Sequence, residues 1–179
     1  MSTKYFVNNP KTGVRQAWEI ADDTYRYLLG RRERFQDKIL DIRRVLWIML
    51  NPSKATAFQD DNTLRKCLKF SSNHNFHEVE IVNLFAFRAT DPRALRTAKD
   101  PVGAENLGII TEAIGIADRV VYAWGAHPLA KEQAQIVHDL VTKRRYGRAP
   151  YCLGQTKAGH PRHPLYVSYS QPMIPFEWK

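Results

Sequence analysis

Three short, nearly unbroken apolar runs constrain this chain more than any other feature. Val45-Leu46-Trp47-Ile48-Met49-Leu50 stops at Asn51-Pro52-Ser53, and Val120-Val121-Tyr122-Ala123-Trp124 stops at Gly125. Val79-Glu80-Ile81-Val82-Asn83-Leu84-Phe85 has the same length and character. A weaker fourth run, Pro150-Tyr151-Cys152-Leu153, ends at Gly154. Apolar runs of this length, closed by turn residues, suit strands covered on both faces, as in a parallel sheet. Helical spacing fills the gaps between them. Asp60, Asp61 or Asn62 can cap a helix that buries Leu64, Cys67 and Leu68. Asp100-Pro101 reads as the start of a second helix, with Leu107, Ile110, Ile114 and Ala117 on one face. Leu129, Gln133, Ile136, Val137, Leu140 and Val141 mark a third. Strands alternating with helices predict an α/β fold with right-handed crossovers.

The 179 residues contain no repeat and no linker-like tract, so residues 1–179 read as one domain. Residues 1–43 form an N-terminal extension, in which Thr24–Leu29 and Arg34–Ile39 suggest a hairpin. No apolar stretch is long enough for a membrane span, and the first residues lack the pattern of a secretory signal. Cys67 and Cys152 stand far apart, which argues against a disulfide framework. These features predict a cytoplasmic protein without a membrane partner, and a monomer.

Charge carries the first functional hint. Lysines and arginines number 27 against 18 acids, a net charge of +9. An excess of this size points to a polyanionic partner, nucleic acid first. Six basic residues and no acid lie between Lys143 and His163: Lys143, Arg144, Arg145, Arg148, Lys157 and Arg162. Arg31–Arg44 holds six more, diluted by three acids, and fits a solvated face or a charge-protected sheet edge.

Parallel α/β sheets bind ligands at the carboxyl ends of their strands. The residues that follow each run are therefore the candidates. They are Asn51-Pro52-Ser53 with Asp60-Asp61; Asn83 with Phe85, Phe87, Arg88, Thr90 and Asp91-Pro92; Trp124-Gly125-Ala126-His127; and Gly159-His160-Pro161-Arg162-His163-Pro164-Leu165-Tyr166. No G-x-G-x-x-G, Walker loop or G-x-S-x-G occurs, which removes the usual dinucleotide, NTP and hydrolase-elbow readings. His74-x-x-His77 and His160-x-x-His163 lack partners at zinc spacing, so neither a metal nor a cofactor is expected.

Taken in order, Asn51-Pro52, Asn83, Trp124-Gly125-Ala126-His127 and His160–Leu165 resemble the signature segments of the uracil-DNA glycosylase superfamily. The stretches LNPS, NLFAFRATDP, WG and GHPRHPLY more closely resemble a bacterial and phage family, domain-of-unknown-function family 1643. The superfamily resemblance implies a three-layer sandwich whose central, mainly parallel sheet has four strands. It also implies N-glycosidase activity on a modified or damaged base, in DNA ahead of RNA. A free or modified nucleotide, or binding without cleavage, is the alternative.

In that reading Asn51, backed by Asp60 or Asp61, holds the water. His160 or His163 donates a hydrogen bond to the departing base. Asn83 reads the base edge with paired donor and acceptor atoms. Pro52 and Ser53 shape the pocket, and Phe85, Trp124 and Tyr166 stack on the base. Arg88, Lys143, Arg144, Arg145, Lys157 and Arg162 meet phosphates. Plainer readings stand beside these: a turn at Asn51-Pro52, a helix cap at Asp60 or Asp61, core aromatics, and surface arginines. Two departures weaken the match. Ile48-Met49-Leu50 replaces the superfamily's glycine-rich lead, and an arginine follows the first His-Pro where serine is usual.

Overall fold

A computed structural model describes residues 2–9, 14–33, 41–145 and 147–178. Its strands are β1 (Ser2–Asn9), β2 (Val14–Ala21), β3 (Arg26–Glu33), β4 (Arg44–Met49), β5 (Glu78–Asn83), β6 (Arg119–Tyr122), β7 (Tyr151–Cys152) and β8 (Ile174–Pro175). They form one eight-stranded sheet in the order β1-β2-β3-β5-β4-β6-β7-β8. The fold is α/β, as the alternation predicts. The sheet, however, is not the four-stranded one expected.

The four apolar runs become β4, β5, β6 and β7, which lie side by side and pair in parallel. β1–β3 extend this block antiparallel on one side, and β8 does so on the other. β3 escaped the apolar criterion because it buries charge. Arg31 meets Asp60 at 2.8 Å behind almost complete burial, and Arg32 shares the buried Glu78 with Arg44. The N-terminal region does pair antiparallel, β1 with β2 and β2 with β3, at other bounds than the expected hairpin. Thr24–Leu29 contributes to a single strand that runs through Gly30 and pairs with β2 and β5. Its proposed partner, Arg34–Ile39, lies outside the described residues.

Helices cover both faces, as the period-two alternation of β4 requires. Val45, Trp47 and Met49 pack with Leu64, Cys67 and Phe70 of α1 (Asn62–Asn73). Leu46 and Ile48 pack with Ile110 and Ile114 of α2 (Asn106–Ile116), and with Val137 and Val141 of α3 (Ala130–Arg144). Trp47 is fully buried and donates its indole N–H to Ser71 Oγ at 3.0 Å. Asp61 caps α1 by accepting the Leu64 N–H at 2.8 Å. Asp100 does not cap α2: it accepts the Gly103 N–H and closes a turn, and the helix starts later. No helix among the described residues is long and apolar enough to cross a membrane.

Gly30 is a close approach, not a turn. A Cβ there would sit 1.9 Å from the Trp18 ring, whose N–H is held by Glu80 Oε1 at 3.2 Å. Gly30→Ala is therefore expected to lower stability by about 1–3 kcal/mol, read as a shift in the urea midpoint.

The order β5-β4-β6 also fixes where a ligand fits. After β4 the chain crosses to one side through α1 to β5, then returns through α2 to β6 on the other side. The loops leaving β4 and its neighbours thus diverge at the carboxyl edge. A crevice opens at such a switch point.

Candidate functional site

A cavity of about 260 Å³ occupies that crevice, near the lower end of the range for small-molecule pockets. Its walls include residues from the ends of β4, β5 and β6, the start of α1 and the turn at His163. The backbone holds the first two loops together. Leu84 N–H donates to Met49 O at 2.8 Å, Phe85 N–H to Leu50 O at 2.9 Å, and Ala89 N–H to Pro52 O at 3.0 Å. Asn51 adds a side-chain clamp, with its Nδ2 donating to Pro52 O at 3.0 Å and Ala89 O at 2.8 Å. Both amide hydrogens are then engaged, and what Asn51 can offer a ligand is the acceptor Oδ1.

Nine of the rim residues singled out from the sequence line this cavity: Asn51, Ser53, Asp61, Asn83, Thr90, Pro92, Trp124, His163 and Tyr166. Four segments remote in sequence therefore meet at one place. The others lie elsewhere. Pro52 is buried and uses its carbonyl to hold Asn51 and Ala89. Asp60 is enclosed against Arg31, which turns its carboxylate away from the cavity. Phe85 belongs to the core beneath α2 and α3. His160 lines a second groove of about 930 Å³, between the start of α3 and the C-terminal segment. Arg88 faces Glu19 at 3.6 Å. Arg145 donates to the carbonyls of Ala117 and Asp118, just ahead of β6. The end of α3, with exposed Lys143 and Arg144, therefore sits at the opposite edge of the sheet from the cavity. Lys157 and Arg162 are exposed and outside the lining.

Asn83 is the most telling member. It is 2% exposed, and its Nδ2 is buried without any hydrogen-bond partner. Leaving a buried donor unmade costs about 1–3 kcal/mol, so most folded proteins avoid it. The adjoining Asn106 donates its amide to the backbone carbonyls of Asn83 and Leu84, and its Oδ1 accepts no bond from Asn83 and is itself buried without a partner.

His163 caps a short 3-10 helix over Pro164–Tyr166, with Nδ1 accepting the Leu165 N–H at 3.3 Å. An accepting Nδ1 carries no proton, so the neutral ring holds its proton on Nε2. Burial pushes the pKa below the ordinary histidine value, and the nearby Asp61 carboxylate opposes that shift. The left-handed Gly125 (φ 76°) lets the Trp124-Gly125 turn pack against this histidine: a Cβ there would lie 3.5 Å from His163 Cβ.

A depressed folded-state pKa means that the unfolded chain binds the proton more readily. The stability contributed by neutral His163 is complete above the unfolded pKa near 6.5 and declines as pH falls through the lower folded value. An NMR titration of the His163 ring is expected to give a midpoint below 6.5. A His163→Gln variant is expected to lose part of the acid-side drop in stability.

Trp124 is buried against Tyr122 and Phe176, with ring centroids 4.4 and 6.3 Å away, and still lines the cavity. Tyr166 is 81% exposed at the rim. A fixed aromatic wall and an exposed aromatic rim, the Tyr166 ring 5.7 Å from the His163 ring, suit a flat ligand. Both thiols are buried and their pKa values are raised by burial, which makes them poor nucleophiles. Among the described residues no three His, Cys, Asp or Glu side chains cluster closely enough to hold a metal ion.

Sequence reasoning missed Arg26, which also lines the cavity. The sheet register slips between Ile20↔Leu28 and Ala21↔Arg26, which leaves Tyr27 as an extra residue in β3. Such a bulge re-aims the neighbouring side chain, and nothing in the local sequence announces it.

The model of one protein family, Protein of unknown function (DUF1643), matches residues 26–165. The chain belongs to the DUF1643 family. The matched stretch begins at Arg26 and ends within the 3-10 helix, so it contains every wall residue named above except Tyr166. A comparison with curated proteins finds no match. A solved structure from Bacteroides fragilis NCTC 9343, whose description proposes an acetyl xylan esterase, is similar at 15% identity with a TM-score of 0.39. That similarity covers 78% of this chain and 45% of the other, so this chain corresponds to under half of it.

Proposed function

We propose that the cavity receives a nucleobase and that the protein hydrolyses the N-glycosidic bond of that base in DNA. The observation that carries the reading is the unpartnered, buried amide of Asn83 in the wall of a small cavity with an aromatic side. A planar ligand with a carbonyl acceptor on its edge would complete that hydrogen bond. The order of the segments, and their resemblance to the uracil-DNA glycosylase superfamily, supports the same reading.

The chemistry follows from the groups available. Water adds to the sugar C1′ as the C1′–N bond breaks, and the bonding electron pair leaves with the base. Asn51 Oδ1 and Asp61 orient the water, and the proton it loses passes to Asp61 or to solvent. Asp61 suits this role better than an amide, although one of its oxygens is already engaged with the Leu64 N–H. The His163 Nε2–H and the Asn83 amide donate to the base as negative charge develops on it. Tyr166 and Trp124 hold the ring, and Ser53 borders the water side.

The test is a panel of oligonucleotides carrying uracil, hypoxanthine and phage-type modified bases, assayed for abasic sites by alkali cleavage. At least one member is expected to release its base. Asn51→Ala and His163→Ala are each expected to slow release by about 100-fold, the usual cost of one such group. Release that neither change affects would overturn the assignment, as would no release from any member.

A second reading, hydrolysis or binding of a free nucleotide, is favoured by one observation, the cationic Arg26 in the cavity wall. Salt dependence separates the two. Nucleic-acid binding weakens steeply with salt, and mononucleotide binding only slightly.

A further inference from the structure

Three arginines crowd behind the cavity, and only two have carboxylates of their own. Arg31 takes Asp60, and Arg88 faces Glu19. Asp61, which lines the same cavity, attracts Arg26 electrostatically but forms no recorded ion pair with it. Arg26 forms none of the ion pairs recorded among the described residues. It is 4% exposed, donates one guanidinium N–H to the Ala55 carbonyl, and has a buried Nε with no partner. Burial and the repelling Arg88 lower its pKa to about 10 against the opposing pull of Asp61 and Glu19, which still leaves it charged at neutral pH. A buried guanidinium that no carboxylate contacts directly, with an orphaned Nε, is costly to the fold, and packing alone does not explain it. The bulge in β3 turns this side chain into the cavity wall.

We propose that Arg26 is an anion-binding residue and that the ligand of this cavity presents a phosphate oxyanion to it. A guanidinium with free N–H groups meets a phosphate with directed, charge-assisted hydrogen bonds. The phosphate belongs either to a free nucleotide or to the backbone of a nucleic acid. The inference needs the cavity and not bond cleavage, so it stands or falls separately from the glycosidase reading.

The experiment is a thermal melt of the full chain with inorganic phosphate, against chloride at the same ionic strength. At about ten times its dissociation constant, phosphate is expected to raise the midpoint by about 4 °C. Arg26→Met is expected to melt no lower than the parent without ligand and to lose the phosphate shift. Arg26→Lys keeps the charge without the forked donors, and is expected to keep part of the shift. Repeating the melts with uridine, uridine 5′-monophosphate and a short single-stranded oligonucleotide identifies the source. A shift with the monophosphate assigns the anion to a nucleotide, and a shift with the oligonucleotide alone assigns it to the backbone. No phosphate-dependent shift, or an equal shift in Arg26→Met, would overturn the proposal.

Discussion

Replacing Asn83 by leucine is expected to abolish base release while leaving the protein as stable as before, or more so. The two side chains are close in size, so the core of β5 keeps its packing. What disappears is an amide whose Nδ2 has no partner in the protein. Removing an unsatisfied buried donor relieves a cost of about 1–3 kcal/mol, and a leucine adds apolar contact in its place. Urea unfolding should therefore show a midpoint equal to or above that of the parent. Activity should move the other way. A site built to hydrogen-bond its ligand loses at least about 100-fold when that donor is removed. Most damaging substitutions lower stability and activity together. Opposite signs are what a residue kept for its ligand would give. A fall in both would make Asn83 a structural residue.

The second large effect concerns Asp60, a candidate for the water-positioning carboxylate on sequence grounds. Its Oδ1 accepts from Arg31 Nε at 3.0 Å and Nη2 at 2.8 Å, and both side chains are almost fully buried. Asp60→Ala would strand a guanidinium in the core, at an expected cost of about 3–5 kcal/mol. Arg31 would keep its bonds to the carbonyls of Gly30 and Thr56, which do not neutralise its charge. Adding Arg31→Met removes the stranded cation, and the double variant is expected to recover most of the stability. The same pair separates structure from chemistry. Because Asp60 faces Arg31 and not the cavity, the stable double variant should retain base release, whereas Asp61→Ala should not. A stable but inactive double variant would return Asp60 to the catalytic set.

The two acids show what the sequence could and could not reveal. Adjacent carboxylates before a helix read as interchangeable caps. Only the fold separates Asp61, which caps α1 and lines the cavity, from Asp60, which turns inward to β3. The parallel block was legible because β4 and β6 are covered on both faces and read as nearly continuous apolar runs, while β5 keeps Val79, Ile81 and Val82 between its buried Glu78, Glu80 and Asn83. β1–β3 were not, since an edge that buries Arg31 and Glu19 against opposite charges has no apolar signature. The cavity wall was legible wherever a residue directly follows a strand: Asn51, Asn83 and Trp124. His163 and His160 could not be distinguished from the repeated His-Pro, because that choice depends on which histidine packs against Gly125. The basic cluster at Lys143–Arg145 looked functional as a charge count. Its position at the amino edge of β6 separates it from the cavity.

The claim on which the rest depends is that the Asn83 side-chain amide donates to a nucleobase in the cavity. The most direct measurement follows the ¹⁵N–¹H resonances of that amide, assigned by their loss in Asn83→Leu, during titration with free nucleobases. With one or more bases the signals are expected to shift progressively and saturate, while amides at the far edge of the sheet stay fixed. Resonances that remain unmoved by every base would contradict the account.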